Sequence, residues 1–217
     1  MLVLVTGVSG GIGTAIVNKF LVEGHIVIGM DLMPPHFSYK DHPNYRHILV
    51  DVCGPLPVIH GVQILINNAG VQNTGKDIDV NLKGLIAVTE KYGIHEDIQA
   101  IVNIASTSAH NGAEFPEYAA SKGGVLAYTK NVAMRIAKYG ATCNSISPGG
   151  VYTEMNAHII DNRKLLREAL NETLLGKWAT PVEIADWVYF VAVINQSMTG
   201  QDIIIDNGEM AKFNFVW

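Results

Sequence analysis

Three glycines and an aspartate near the start of the chain have the spacing to hold a phosphate-containing ligand. Gly7, Gly11 and Gly13 follow an apolar run and precede a helical pattern, and Asp31 comes 18 residues after Gly13. Glycines let the backbone approach a pyrophosphate without a Cβ in the way, and the N-terminus of a helix offers N–H groups to phosphate oxygens. An acid at the end of the next strand can receive the hydroxyls of an adenosine ribose. These residues predict a dinucleotide site.

Asp31 also bears on which dinucleotide is bound. A carboxylate beside the ribose would repel a 2′-phosphate, so the sequence favours NAD over NADP. The spacing of the glycines differs from the strict G-x-G-x-x-G pattern. A turn that only connects a strand to a helix is therefore the alternative interpretation.

A second group of candidate residues lies in the middle of the chain. Tyr118 and Lys122 are four residues apart, so a helix would place them on one face, about one turn from each other. Upstream, residues 101–106 form a β-branched run that ends in the hydroxyl of Ser106. On spacing alone, a solvated lysine beside a packed tyrosine is the simpler explanation. The neighbouring motifs are needed to decide between the two.

Alternating strands and helices must position these residues. The predicted strands are residues 2–5, 25–31, 46–51, 62–67, 98–106 and 141–147, with a last strand and turn at 200–208. The predicted helices are residues 14–21, 76–92, 114–138 and 182–193. About seven such alternations predict an α/β fold, a Rossmann-like doubly wound parallel sheet with helices on both faces, formed by a single domain over residues 1–217.

Ligands of such sheets bind beyond the carboxyl ends of the strands. Gly7–Gly13, Asp31, Asn67–Gly70, Ser106 and Pro148–Gly150 all follow predicted strand ends, so we expect them to converge on one crevice. Residues 152–178 have the length of a helical flap over that crevice, and an ordinary surface helix is the alternative.

Three further polar or apolar positions allow two interpretations each. Asp51 and Val52 end the third predicted strand and either face an adenine ring or form a strand-end turn. Asn81 is embedded in the apolar face of a predicted helix, where a buried amide must find partners. On spacing alone, a bond to the backbone is the simpler interpretation for Asn81.

Composition limits the classes of partner. Hydrophobic residues make up 48% of the 217 residues and charged residues 16%, which is typical of a folded domain. The net charge of −5 and the lack of a basic block argue against nucleic acid or an anionic membrane as the main partner. Cys53 and Cys143 lack metal-ligand spacing. We interpret both as buried thiols in a reducing compartment, and a disulfide is the alternative. We expect a cytoplasmic protein because we find no signal peptide or membrane-length apolar run.

Taken together, the motifs resemble those of the short-chain dehydrogenase/reductase family. The matching residues stand in the family's order along nearly the whole chain: Thr6-Gly7-x-x-x-Gly11-x-Gly13, Asn67-Asn68-Ala69-Gly70, Asn81, Ser106, Tyr118-x-x-x-Lys122, Pro148-Gly149 and Asp206-Asn207-Gly208. The chain is most similar to the group that includes 3-oxoacyl-carrier-protein reductases and many alcohol dehydrogenases. This resemblance implies hydride transfer between a nicotinamide and a secondary alcohol or ketone.

The resemblance implies four catalytic residues and no metal. Tyr118 would be the general acid/base, and Lys122 would lower the pKa of its phenol from the usual value of about 10. Lys122 would also bind the nicotinamide ribose. Ser106 would hold the substrate oxygen about 3 Å from Tyr118. Asn81 would hold a water molecule of a proton relay.

The resemblance also implies a series of contacts to NAD. The glycine turn would line the pyrophosphate, Asp31 would bind the adenosine ribose, and Asp51 with Val52 would contact the adenine. The implied cofactor-binding residues are Gly7, Ser9, Gly11, Ile12, Gly13, Asp31, Asp51, Val52, Asn68, Ala69, Gly70, Tyr118, Lys122, Pro148, Gly149, Val151 and Thr153.

The chain departs from the family pattern in its length, in the spacing before Tyr118 and in Asp206-Asn207-Gly208, which replaces the more usual Asp-Gly-Gly. It is shorter than usual, mainly around Pro55 and after Gly70, which weakens the expectation of a tetramer although a homo-oligomer, dimer or tetramer, is implied. Ser106 stands twelve residues before Tyr118 rather than the more common thirteen, so a following hydroxyl is an alternative. An epimerase that retains NAD and a nucleotide sensor without catalysis are alternative functions. The small-molecule substrate would be selected by residues 109–117 and 152–178.

Overall fold

A parallel β-sheet forms the centre of the molecule. The computed structural model of the chain describes residues 1–113 and 115–212. Within these residues the strands are β1 Leu2–Thr6, β2 Ile26–Asp31, β3 Tyr45–Leu49, β4 Ile64–Asn67, β5 Ala100–Ile104, β6 Thr142–Pro148 and β7 Asp202–Ile205. Their order is β3-β2-β1-β4-β5-β6-β7, and every neighbouring pair is parallel.

Helices connect the strands and cover both faces of the sheet. The α-helices are α1 Gly11–Val22, α2 Leu85–Tyr92, α3 Ser108–Asn111, α4 Pro116–Ile136, α5 Ala157–Ile160, α6 Arg163–Asn171 and α7 Pro181–Tyr189. Shorter helical turns are the π-helical Asp79–Gly84 and Phe190–Ile194 and the 3₁₀ segments Ala137–Tyr139 and Glu154–Asn156. Among the described residues, none of these helices has the length and apolar character needed to cross a bilayer.

Alternating side chains of β1 belong to two separate cores. Val3 and Val5 pack with Phe20 of α1 and Val188 of α7. Leu4 points to the other face, into the core beneath α2 and α4. A strand that is buried on both faces has the continuous apolar run seen at the start of the sequence. The predicted doubly wound α/β fold is therefore confirmed.

Element boundaries differ from the predictions where local geometry changes. The helix predicted over residues 76–92 begins with the π-helical turn at Asp79–Gly84, and the predicted flap is two short helices, α5 and α6, after a 3₁₀ turn. Pro116 and Pro181 each stand at the start of a helix, as predicted, because proline lacks the N–H that a first turn leaves unpaired. Glu114 and the end of the apolar tail, residues 213–217, lie outside the described residues.

The expectation that both cysteines are buried is wrong for Cys53. Cys143 is buried in β6, but Cys53 is exposed, and both are free thiols. Cys53 sits in the turn after β3, where its N–H donates to Asp51 Oδ1 at 2.8 Å. The chain then continues through Pro55 and Pro57 as a surface connection, so this position does not reach either core.

The connection from β3 to β4, residues 50–63, contains no helix. Instead it lies against α2, whose Lys91 Nζ and Tyr92 hydroxyl donate to the carbonyl oxygens of Leu56 and Pro57. Val62, near the end of the connection, is buried. Two proline residues explain the lack of a helix, as expected from the sequence.

The glycine turn between β1 and α1 brings two backbone segments into close contact. Gly7 has a φ of +68°, which side-chain-bearing residues rarely adopt. A Cβ added at Gly13 would lie 1.9 Å from the carbonyl oxygen of Gly7 and 2.9 Å from Asn68 Nδ2. This packing requires glycine at position 13 even without a ligand.

We expect Gly13→Ala to destabilise the fold by about 1–3 kcal/mol, the usual cost of overpacking. The control is Gly123→Ala in α4, where the nearest atom to an added Cβ is the Ala109 oxygen at 4.0 Å. Alanine there should stabilise the helix by about 0.5–1 kcal/mol. Urea unfolding measures both, and a Gly13→Ala protein as stable as the wild type would contradict the proposed contact.

His25 is a buried titratable group in the core beside α1. It is 7% exposed, and its ring packs edge-on against Phe20 and Tyr189 at centroid distances of 5.4 and 5.9 Å. Its Nδ1 has no hydrogen-bond partner among the described residues. Burial lowers the pKa of this imidazole because the charged form loses its hydration.

A lowered histidine pKa makes folding unfavourable for the protonated form. The free energy of unfolding should therefore be highest above the pKa of this histidine in the unfolded chain, near 6.5, where the imidazole is neutral. It should decrease as the pH falls below that value. We expect His25→Phe to lose less unfolding free energy than the wild type between about pH 7.5 and about pH 5.5. The control is the exposed His60→Gln, which should keep the wild-type dependence. A constant difference between His25→Phe and wild type at both pH values would refute this role of burial.

Candidate active site

A cavity of about 470 Å³ opens at the carboxyl ends of the strands. Most of the residues proposed from the sequence line it: Gly7, Gly11, Ile12, Gly13, Asp31, Asn68, Gly70, Ser106, Tyr118, Lys122, Pro148, Gly149, Val151 and Thr153. The proposed residues outside the lining are Ser9, Asp51, Val52, Ala69 and Asn81. The expected convergence of strand ends on one crevice is therefore present.

Asp31 is held at the glycine turn by two backbone N–H groups. Its Oδ2 accepts from the N–H of Ser9 and its Oδ1 from the N–H of Met33, both at 2.9 Å. The Ser9 hydroxyl donates to the carbonyl oxygen of Pro34 at 2.9 Å. Ser9 thus fixes the position of Asp31 rather than lining the cavity. A carboxylate oxygen with one donor can still accept a ligand hydroxyl.

The polar turn after β4 is tied to the end of β1. Thr6 Oγ1 accepts from the N–H groups of Asn68 and Ala69, both at 3.0 Å. In return Asn68 Nδ2 donates to the carbonyl oxygens of Thr6 and Gly7 at 3.1 and 2.8 Å. Ala69 therefore supports the turn through its backbone. Thr6 belongs to the sequence motif, but nothing in the sequence indicates this coupling.

Lys122 is a buried cation beside Tyr118. It is 4% exposed, its Nζ donates to the carbonyl oxygen of Ile104 at 2.8 Å, and it lies 5.7 Å from the centroid of the Tyr118 ring. Burial lowers the pKa of Lys122 to about 8, and the negative charge of Asp77 acts in the opposite direction. The solvated lysine considered from spacing alone is excluded by this burial.

Asn81 supports this arrangement from the π-helical turn. Its Oδ1 accepts from the Val71 N–H at 2.8 Å, and its Nδ2 donates to the Val71 carbonyl oxygen at 2.9 Å and to Ser121 Oγ at 3.1 Å. The two bonds to Val71 agree with the simpler expectation that the Asn81 amide bonds to the backbone. The bond to Ser121 Oγ is an additional side-chain contact. A Cβ added at Gly70 would lie 3.2 Å from Asn81 Oδ1 and 3.5 Å from Lys122 Nζ. Asn81 therefore stands close to Lys122, and its role in a proton relay stays a prediction.

Three hydroxyl residues follow β5 at the edge of the cavity. Ser106, Thr107 and Ser108 are all buried and all belong to the lining. Ser106 Oγ accepts from the Ser108 N–H at 3.2 Å, and the Thr107 N–H donates to the Pro148 carbonyl oxygen at 3.0 Å. The segment is thus fixed to the end of β6, and the Ser106 hydroxyl donates to Ser108 Oγ at 3.3 Å.

Asp51 and Val52 have structural contacts outside the lining. Asp51 accepts from the N–H of Cys53 in its own turn, which is the strand-end alternative left open by the sequence. Val52 is buried and packs under Gly84, where an added Cβ would lie 2.8 Å from Val52 Cγ2. A contact of either residue with adenine stays a prediction.

Several lining residues were not among the catalytic and cofactor-binding residues implied by the sequence, although some of them fall in ranges that were expected at the crevice. They are Gly10, Gln72, Ile104, Ala105, Thr107, Ser108, Asn111, Ala113, Gly150, Glu154, Met155, Asn156, Ile159, Ala169, Glu172, Trp178 and Glu209. Many of them belong to the flap, whose position over the site was expected as a segment. Glu209 follows the Asp206-Asn207-Gly208 turn, and that turn is the sequence signal that could have indicated it.

The lining residues fit a dinucleotide. The glycines of the turn bring backbone without a Cβ to the cavity wall, and Thr153 Cγ2 lies against the turn, 2.9 Å from the position of a Cβ added at Gly11. Asp31 offers carboxylate oxygens at one end, and Lys122 offers an ammonium group beside a phenol at the other. Within residues 1–113 and 115–212, no group of three His, Cys, Asp or Glu side chains is arranged to hold a metal ion.

Comparison with known proteins identifies the same family as the sequence motifs. The model of the family described as enoyl-(acyl carrier protein) reductase matches residues 47–209. The 3-oxoacyl-[acyl-carrier-protein] reductase FabG of Thermotoga maritima is 30% identical over 94% of this chain and 96% of its own length. An uncharacterized short-chain type dehydrogenase/reductase of Sinorhizobium fredii is 31% identical over 96% of this chain, which covers 43% of that longer protein.

A solved structure shares the whole fold. The 4-hydroxyisoleucine dehydrogenase mutant complexed with NADH and succinate superposes with a TM-score of 0.85 and 26% identity, over 99% of this chain and 100% of that one. With the family model covering most of the chain and the cavity built from its motif residues, the protein belongs to the short-chain dehydrogenase/reductase family of oxidoreductases.

Proposed function

We propose that this protein is an NAD-dependent oxidoreductase that interconverts a secondary alcohol and a ketone. The observation that carries the proposal is the buried ammonium of Lys122 beside the Tyr118 ring, in the same cavity as the glycine turn and Asp31. A buried charge next to an ionisable phenol is a costly arrangement, and such arrangements concentrate at functional sites.

Tyr118 would act as the general acid during reduction, donating its phenol proton to the substrate oxygen, and as the base during oxidation. Lys122 would stabilise the phenolate and donate hydrogen bonds to the ribose next to the nicotinamide. Ser106 would donate to the substrate oxygen and hold it near Tyr118. A bound nicotinamide would supply or accept the hydride, so that one hydride and one proton are exchanged per turnover.

Asp31 supports the choice of NAD. Asp31 lines the cavity from the end of β2, and its two oxygens are held in place by the N–H groups of Ser9 and Met33. They would accept the two ribose hydroxyls, whereas a 2′-phosphate would meet a like charge. A homo-oligomer, a cytoplasmic location and the expected exclusion of nucleic acid and membrane partners stay predictions.

We expect Tyr118→Phe to lower turnover of ketones with NADH by about 10²–10⁴-fold, because the proton donor is removed. The affinity for NADH, measured by calorimetry, should change little. The control is Tyr128→Phe on the same helix, whose hydroxyl donates to Glu90 outside the cavity at 2.7 Å and whose loss should leave turnover unchanged. Unchanged turnover in Tyr118→Phe would exclude the proposed mechanism, and failure of both NADH and NADPH to bind the wild type would exclude the proposed function.

The cofactor choice is tested by Asp31→Asn, which removes the charge and keeps one oxygen to accept from the Ser9 N–H, while the acceptor for the Met33 N–H is lost. The ratio of NADPH affinity to NADH affinity should rise by about tenfold or more, because the repulsion of the 2′-phosphate is lost. Asp41→Asn, at an exposed acid in the following loop, should leave the ratio unchanged. Tighter binding of NADPH than NADH by the wild type would be the opposite of what we propose.

A further inference from the structure

The backbone of Met33 connects Asp31 to a histidine on β3. The Met33 N–H donates to Asp31 Oδ1, and the Met33 carbonyl oxygen accepts from His47 Nε2, both at 2.9 Å. Ser9 Oγ also donates to this carbonyl oxygen, at 3.3 Å. Asp31 lines the cavity, whereas Met33 and His47 lie outside the lining. An effect of His47 on the cavity must therefore pass through Met33.

The alternation of side chains along β3 places His47 beside Tyr45. Residues two apart on a strand share a face of the sheet, and the Tyr45 hydroxyl lies 2.7 Å from His47 Nδ1. Gly29 is the partner of His47 on β2, and a Cβ added at Gly29 would overlap the Tyr45 hydroxyl. Glycine at this position in the strand thus leaves the space that the phenol occupies.

These two contacts determine the tautomer of the His47 ring. A carbonyl oxygen only accepts, so Nε2 carries a hydrogen and donates to Met33. In the neutral ring Nδ1 is then an acceptor, and the Tyr45 hydroxyl donates to it. A ring turned over by 180° would break both bonds. The donor to the Met33 carbonyl oxygen is therefore held in position by its neighbour on β3.

Tyr45 in turn packs against a residue that is bonded to the glycine turn. Tyr39 is 1% exposed, and its ring meets the Tyr45 ring edge-on at a centroid distance of 4.6 Å. The Tyr39 hydroxyl donates to the carbonyl oxygen of Val8, within the turn, at 2.6 Å. The contacts thus extend from the glycine turn through two tyrosines to His47.

We propose that His47 is a specificity-determining residue for the cofactor, which acts by positioning Asp31 through Met33. The proposal rests on the proposed function, in which Asp31 accepts the ribose hydroxyls of NAD and repels a 2′-phosphate. Both effects depend on where the carboxylate oxygens lie, because a hydrogen bond weakens steeply outside its preferred geometry. Leu32 and Met33 are 68% and 61% exposed, so burial restrains this loop little. Hydrogen bonds, among them the one from His47, supply the restraint.

The test replaces His47 by phenylalanine, which removes the donor to Met33 and keeps an aromatic ring on β3. Calorimetry measures the affinities for NADH and NADPH without substrate. We expect the ratio of NADPH affinity to NADH affinity to rise by about threefold to tenfold, the usual effect of one net hydrogen bond, because Asp31 is held less firmly. The control is the same substitution at the exposed His60, outside the lining, which should leave the ratio unchanged.

His47→Gln separates the hydrogen bond from the shape of the side chain. Its amide N–H can still donate to the Met33 carbonyl oxygen, so the ratio should rise less than in His47→Phe. An equal rise in the two variants, or an equal rise in His60→Phe, would contradict the role of the His47 donor.

A double-mutant cycle assigns the effect to Asp31. Asp31→Asn removes the charge that repels the 2′-phosphate and the acceptor for the Met33 N–H. His47→Phe should therefore change the ratio in the wild-type background and leave it unchanged in the Asp31→Asn background. A change of the same size in both backgrounds would show that His47 does not act through Asp31, and would overturn the proposal.

Tyr45→Phe tests the same contacts with a smaller change, and urea unfolding shows whether each variant is folded. This variant loses only the hydroxyl that donates to His47 Nδ1, and it should raise the ratio by a smaller factor than His47→Phe. NADH binding by the wild type with an unchanged ratio in folded His47→Phe, or in Tyr45→Phe if only that variant folds, would overturn the role of His47 alone. Failure of the wild type to bind NADH and NADPH would overturn the proposed function as well.

Discussion

The site depends on one constraint: the order in which strands are added to the sheet reverses between β1 and β4. The chain builds the sheet outward from β1 to β3 on one side and from β4 to β7 on the other, so the connections from β1 and β4 leave in opposite directions. A crevice forms where they part. The hydrogen bonds between Thr6 and the turn at Asn68 hold the two strand ends together at the floor of this crevice. The glycine turn and the polar turn after β4 therefore keep a fixed geometry relative to each other.

A buried network of polar side chains connects the strands and helices of the second half of the sheet. Asn67 Nδ2 donates to Thr89 Oγ1 and to Asn103 Oδ1, and Asn103 Nδ2 donates to Thr129 Oγ1, at distances of 2.8 to 2.9 Å. The network joins β4 and β5 to α2 and α4, the helix that carries Lys122. Asn67 Oδ1 is buried without a hydrogen-bond partner among the described residues, but the other groups of the network are paired, and leaving them unpaired would be costly. The paired groups therefore favour the observed position of α4. The buried ammonium of Lys122 benefits because its acceptor on β5 is held by the same strands.

The sequence predicts the fold and most of the cavity for physical reasons. Continuous apolar runs such as residues 2–5 identify strands buried on both faces, and glycines and prolines mark the turns that follow them. Contacts between side chains that are far apart in the sequence produce no comparable pattern in it. The bonds of Asn81 to Val71 and Ser121, the exposed position of Cys53 and the placement of Glu209 beside Gly149 depend on how separate segments pack. The π-helical turn at Asp79–Gly84 contains Asn81, and the apolar pattern that predicts a helix over residues 76–92 does not indicate this local geometry.

The connection without a helix, residues 50–63, has a consequence for hydrogen exchange. Within the described part of the chain, no backbone N–H from residue 55 to residue 62 donates to a main-chain oxygen. Its hydrogen bonds to α2 come from Lys91 and Tyr92, which donate to its carbonyl oxygens and so give its amides no acceptor. Amide protons there should exchange with solvent through small local openings, while those of β1 and β4 exchange only when the sheet itself separates. The cavity and this connection thus belong to different units of local stability.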